Sequence, residues 1–217
     1  MEIRVPLDLC DNVDALNPLD DAVTDIKPIT AADIKNMDAA MDAYKLAVGK
    51  VATNWNWLQE DLAQLFALVT GLDYRAAHAI WYSLNSDRAQ RNMLRDVIQA
   101  TRDQWTDARY SSTADDLIWL IGEADSVASH RNNAIHSPCM PSVGTKEIEI
   151  IPYDFFRSPR TQKLRGKDIL TEFEWYAKSA ETLTSFARQA WSSLRSENNQ
   201  WPKRPEMPAR PVKKAAL

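Results

Sequence analysis

Glycine is scarce in this sequence, with 5 among 217 residues, and that alone argues against a turn-rich β sandwich. Cysteine is scarcer still. Cys10 falls in an expected tail and Cys139 in an expected loop, so no disulfide framework can be inferred and a reduced compartment fits. Long apolar runs are absent: stretches such as Leu117-Ile118-Trp119-Leu120-Ile121 fall far short of the roughly 20 residues a membrane span needs. The acidic N-terminus shows no signal-peptide pattern, and a cytoplasmic protein without a membrane partner is expected. There is no glycine-rich phosphate loop, no Gly-x-Ser-x-Gly and no Cys/His spacing of a zinc module, so neither a cofactor nor a metal is expected. A metal set of His130, His136 and Cys139 is conceivable, but no further ligand cluster supports it.

What is present is ordinary globular material: 45% apolar and 26% charged residues, enough for one domain of about 150 residues with tails. The net charge of −4 hides an uneven distribution. Residues 1–44 carry 10 acids and 3 bases, net −7, whereas 157–217 carry 13 bases and 6 acids, net +7. Such asymmetry suits a nucleic-acid partner, and it equally suits tails that attract each other or a partner chain. Residues 1–29 read as an extended acidic arm, 30–200 as the folded domain and 201–217 as a basic, proline-rich tail.

Hydrophobic spacing predicts an all-α fold, an antiparallel bundle of about five helices, with a small β-hairpin before the last. The first helix begins at Thr30, where Asp33 completes a capping arrangement, and runs through Trp55, Leu58, Leu62 and Leu65 to Gly71, with room for a bend near Gly49. A short helix over about 74–84 turns Ala77, Ile80, Trp81 and Leu84 inward. Ser86 caps a third helix reaching about Tyr110, and Thr113 with Asp116 caps a fourth. That helix should stop near His136, because the residue before Pro138 avoids the helical region. Residues 146–151 alternate like a strand, 153–156 offer a hairpin partner, 158–167 read as a basic loop, and 168–196 form the last helix.

At the end of the fourth helix stands Arg131-Asn132-Asn133-Ala134-Ile135-His136. Asn132 and His136 share a helix face, while Arg131 lies about 140° from His136 at 100° per residue. A helix C-terminus favours a protonated histidine, and a neighbouring arginine opposes it. Arginine, a polar residue, three more residues and histidine, placed at the end of a periodic helix and downstream of the tryptophan-bearing stretch 54–62, resemble the signature of the HEPN superfamily. The likeness covers roughly residues 31–195.

The resemblance implies a metal-independent endoribonuclease (a hydrolase-class RNase) in a toxin–antitoxin or phage-defence setting. Arg131 and His136 would be catalytic, Asn132 would orient His136, and a homodimer would bring two such motifs face to face. Arg131 suits charge on a phosphorane because its fork pairs two oxygens, and His136 suits proton transfer. HEPN toxins regulated by a nucleotidyltransferase antitoxin commonly carry Tyr two residues after the histidine; this sequence has Pro138, which puts that antitoxin partner in doubt. The other reading, from a different class, is a non-catalytic helical protein-interaction module, in which Arg131 pairs with Glu123 or Asp125 and His136 merely caps the helix.

Two further groups invite roles. Lys50, Asn54, Trp57 and Asp61 form one stripe of the first helix, where Asn54 and Asp61 are expected to support the motif and Lys50 to contact RNA, or Asp61 to form a structural ion pair. Arg88, Arg91, Arg95 and Arg102 line one face of the third helix and are suited to RNA phosphates, or to a solvated face salt-bridged with Asp87, Asp96 and Asp103.

Overall fold

The computed structural model describes residues 29–104, 112–143, 148–153, 158–196 and 198–212. The expected acidic arm lies outside them, apart from Ile29. Six α-helices and a two-stranded sheet follow in the order α1 (Ala31–Thr70), α2 (Tyr74–Ser83), α3 (Asp87–Ala100), α4 (Thr113–His136), β1 (Cys139–Val143), β2 (Ile148–Pro152), α5 (Pro159–Gln162) and α6 (Ile169–Arg195).

Helix α1 starts where its chemistry allows. Thr30 and Asp33 form a reciprocal capping box that satisfies two otherwise orphaned N–H groups, and Gly71 closes the helix in the left-handed region at φ 64°. The helix is continuous over 40 residues through Gly49. Ser86 and Asp168 cap α3 and α6 through side-chain oxygens. At α4 the expected cap is corrected: Ser112 holds that position without a side-chain bond, and Thr113 is the first helical residue, its side chain buried in the core.

Three other expectations change. Helix α3 ends at Ala100, well before Tyr110, and gives way to a 3₁₀ turn at Arg102–Gln104, which removes Arg102 from the arginine face and pairs it with Asp115 at 2.6 Å. The hairpin partner of β2 is the preceding segment, with Cys139 opposite Pro152 and Val143 opposite Ile148; of 153–156, Tyr153 alone is described, and it follows β2. The basic stretch 158–167 holds one helical turn, α5, which makes six α-helices among the described residues where about five were expected.

The core forms where the apolar stripes predict it. Trp55, Leu58, Leu62, Leu65 and Phe66 of α1 meet Trp81 of α2, Leu94 and Ile98 of α3, Leu117, Leu120, Ile121 and Ala124 of α4, and Leu183, Phe186 and Ala190 of α6. Ile80 is the exception, 43% exposed. A second cluster, Val51, Ala134, Ile150, Leu164, Ile169, Phe173 and Tyr176, seats the hairpin against α1 and α6.

The bundle is not uniformly antiparallel. Lys50, Asn54 and Asp61 of α1 meet Glu174, Ala177 and Arg188 of α6 in the same order, so the first and last long helices run parallel. Helix α4 opposes both: His130 lies beside Trp175 and Tyr176, and Trp119 beside Phe186. The C-terminal tail is part of the fold. Trp201 Nε1 donates to Asp116 at 2.7 Å, Arg204 pairs with the same carboxylate, Trp175 Nε1 donates to the Pro208 carbonyl at 2.8 Å, and Arg210 reaches Glu172 at 3.6 Å.

Candidate functional site

Pro138 ends α4 as expected. Ser137 takes an extended conformation (φ −106°, ψ 110°) and its N–H still bonds to the Asn133 carbonyl at 3.2 Å. Helical rotation then distributes the motif. Asn133 and Ala134 point into the core, Arg131 and Asn132 are half-buried toward α3, and Ile135 and His136 face solvent.

Arg131 is held on three sides. Its Nη1 donates to Asn132 Oδ1 at 2.9 Å, it lies 3.9 Å from Asp87, and its guanidinium stacks 5.7 Å from the Trp55 ring. Trp55 in turn donates its indole N–H to Asp87 at 3.0 Å, so a buried aromatic and a carboxylate fix the arginine together. The side-chain oxygen of Asn132, the residue expected to orient His136, accepts from Arg131. Neither Glu123 nor Asp125 is the carboxylate beside Arg131; Asp87 is.

Across from Arg131 stands α3. Arg88, Arg91 and Arg95, at helical spacing, join Ser86, Asp87, Asp125, Ser129, Arg131 and Asn132 around a pocket of about 630 Å³. Asp125 accepts from Arg91 Nε at 2.8 Å and Arg95 Nη2 at 2.7 Å. Burial works to raise the Asp125 pKa, but the hydrogen bonds and charge of the two arginines prevail and hold its carboxyl below the ordinary value. Arg91 is only 2% exposed and lies 5.2 Å from the Trp55 ring. Its Nη1 is buried and has no hydrogen-bond partner among the described residues, as is also true of Arg131 Nε. Two of the motif residues and three of the expected RNA-contacting arginines therefore share one pocket.

The other candidates sit elsewhere. Asn54 donates to the Ala177 carbonyl at 3.0 Å, Asp61 accepts from Arg188 at 2.9 Å, and Lys50 lies at 3.4 Å from Glu174 in solvent. These bonds tie that stripe of α1 to α6, and none of the three residues lines the pocket that holds Arg131. Burial raises the Asp61 pKa against the pull of Arg188, the balance of a structural ion pair. His136 is exposed on the far side of the terminal turn and does not line the pocket.

His130 stacks on Tyr176 at 4.9 Å and meets Trp175 edge-on, and burial, reinforced by Arg210, pushes its pKa down to about 4. Cys139 donates to the Ser137 carbonyl at 3.7 Å, and burial pushes its thiol up to about 11. Among the described residues no three His, Cys, Asp or Glu side chains converge as metal ligands.

Asp87 and Asp125 in the pocket, and Trp55 against its arginines, are residues that the sequence alone does not assign to a site. The one signal for Asp125 is the pair of arginines four apart on α3, which needs a carboxylate from elsewhere once one of them is buried. No protein-family model, curated protein or solved structure matches this chain.

Proposed function

We propose that the chain is a metal-independent endoribonuclease of HEPN type, acting as a homodimer in the cytoplasm in a toxin or phage-defence role. The observation that carries this reading is the convergence of Arg131 and Asn132 with Arg88, Arg91 and Arg95 around one polar pocket at the end of α4. Such a surface attracts a polyanion and grips phosphate oxygens through planar, bidentate donors. His136 lies five residues beyond Arg131, roughly 7.5 Å further along the helix axis. A strand whose phosphate occupies the pocket therefore continues past the imidazole.

In this mechanism a histidine takes the proton of a ribose 2′-hydroxyl as its oxygen bonds to phosphorus. The P–O5′ bond breaks, and a second, protonated histidine delivers a proton to the leaving 5′-oxygen. Arg131 stabilises the charge on the phosphorane. One chain offers one such histidine at this end of α4, and a second copy supplies the other. The products are a 2′,3′-cyclic phosphate and a 5′-hydroxyl.

A second reading, a non-catalytic interaction module, is favoured by a different observation. Arg131 is engaged within the chain by Asn132 and Asp87, and His136 stands outside the pocket. Incubation with mixed RNA in EDTA separates the two. Catalysis predicts cyclic-phosphate ends and a rate loss of about 100-fold or more in both His136→Ala and Arg131→Ala. Cleavage unchanged in both variants removes the site, and no cleavage by the wild type across varied RNAs leaves the module. Light scattering that finds a strict monomer excludes the two-histidine scheme.

A further inference from the structure

We infer that the α3–α4 pocket favours a terminal phosphate, a phosphomonoester dianion, over an internal phosphodiester. Three observations point the same way. Four arginines (88, 91, 95 and 131) against two carboxylates (Asp87 and Asp125) leave a formal +2, which a monoester near neutral pH balances and a diester half balances. The pocket, at about 630 Å³, has the volume of a small-molecule site.

The third observation concerns where the donors are. Arg91 is almost wholly buried, anchored through Nε to Asp125 and backed by the Trp55 ring, yet its Nη1 lacks a partner among the described residues. A buried guanidinium N–H left unpaired costs free energy, and an incoming oxygen recovers it. A backbone diester passing over the surface offers two free oxygens to the exposed arginines. A terminal phosphate projects three, and can reach down to Arg91 while Arg88 and Arg95 close over it. Asp125 keeps the arginines in place before the ligand arrives, so the site is pre-organised.

The ligand has two chemical sources, the phosphorylated end of an RNA and a free mononucleotide. Calorimetric titration of the full chain at low salt distinguishes them, with inorganic phosphate, AMP, and 2′-O-methyl hexanucleotides bearing a 5′-phosphate, a 3′-phosphate or neither. The 2′-O-methyl group prevents cleavage, so the result does not depend on whether His136 is catalytic. The expected result is that a phosphorylated hexamer or AMP binds at least about tenfold more tightly than the unphosphorylated hexamer, with inorganic phosphate competing.

Preference for the hexamer assigns the site to RNA ends, and preference for AMP assigns it to a nucleotide. Arg91→Lys keeps the buried charge but loses the fork, and Arg88→Ala removes an exposed donor that the fold does not need. Each should weaken phosphorylated ligands about fivefold or more, and Arg88→Ala should leave the circular dichroism melt close to wild type. Equal affinity for phosphorylated and unphosphorylated hexamers, or unchanged affinity in Arg88→Ala, overturns the inference. If the phosphate preference holds and no RNA is cut, the endoribonuclease reading falls and the terminal-phosphate site stands.

Discussion

Asp125 holds two arginines of α3 from a position on α4, and one of them has only 3% of its side chain in solvent. Removing the carboxylate strands a buried guanidinium, so Asp125→Ala should destabilise the fold by about 2 kcal/mol or more in urea unfolding, while Asp125→Asn, which keeps one acceptor, should cost less. His130 makes a prediction in pH. Its folded pKa of about 4 lies below the ordinary 6.5, so between those values the unfolded chain binds more protons than the folded one. Stability therefore falls as pH drops from about 6.5 to about 4, and His130→Phe should flatten that part of a melting-temperature profile. Arg131 and His136 were legible as letters at a fixed spacing. Their separation by about 140° around the helix was legible too; the bond from Arg131 to Asn132 and the Asp87 carboxylate beside it were not, because they depend on what α3 presents.

Among the elements, those whose ends are set locally were legible and those set by tertiary contact were not. Thr30 with Asp33, Gly71 and Pro138 fixed the limits of α1 and α4 through capping, a left-handed residue and a steric clash, each confined to a few residues. Thr30→Ala should cost about 1 kcal/mol or less, read as fraying in far-UV circular dichroism, since its capping box is solvent-exposed. At Thr113 the same capping pattern failed, because burial of the hydroxyl's side chain won over capping and the helix began one residue earlier. The partner of β2 was misread because the alternation in 148–151 marks a strand but says nothing of which segment bonds to it. The pairing is set by Tyr153, whose N–H bonds to the Pro138 carbonyl at 2.8 Å and clamps the end of β2 to the turn after α4.

On the scale of the whole molecule, the all-helical class and the core stripes of α1, α4 and α6 followed from periodicity, whereas the parallel pairing of α1 with α6 and the docked tail did not. A run of proline and basic residues has no periodicity to betray its path. Its anchors are individual: Trp201 and Arg204 on Asp116, Arg204 also over Trp119, and Arg210 over Trp175. Ending the chain after Gln200 would leave Asp116, 7% exposed, with neither partner. That truncation should lower stability by about 2 kcal/mol or more, and the double change Trp201→Phe with Arg204→Met should reproduce much of the loss if the Asp116 contacts are its source.

The parallel pairing of α1 with α6 also bears on synthesis. The face of α1 that holds Asn54 and Asp61 finds its bonding partners 123 and 127 residues later in the chain. At about 5–20 residues per second, the ribosome needs on the order of 5–20 s to pass from the end of α1 to the start of α6. For that interval the polar edge of α1, with Asn54 and Asp61, waits without the helix that supplies its bonds, although α2, α3 and α4 already bring Trp81, Arg91 and Arg131 to Phe66 and Trp55.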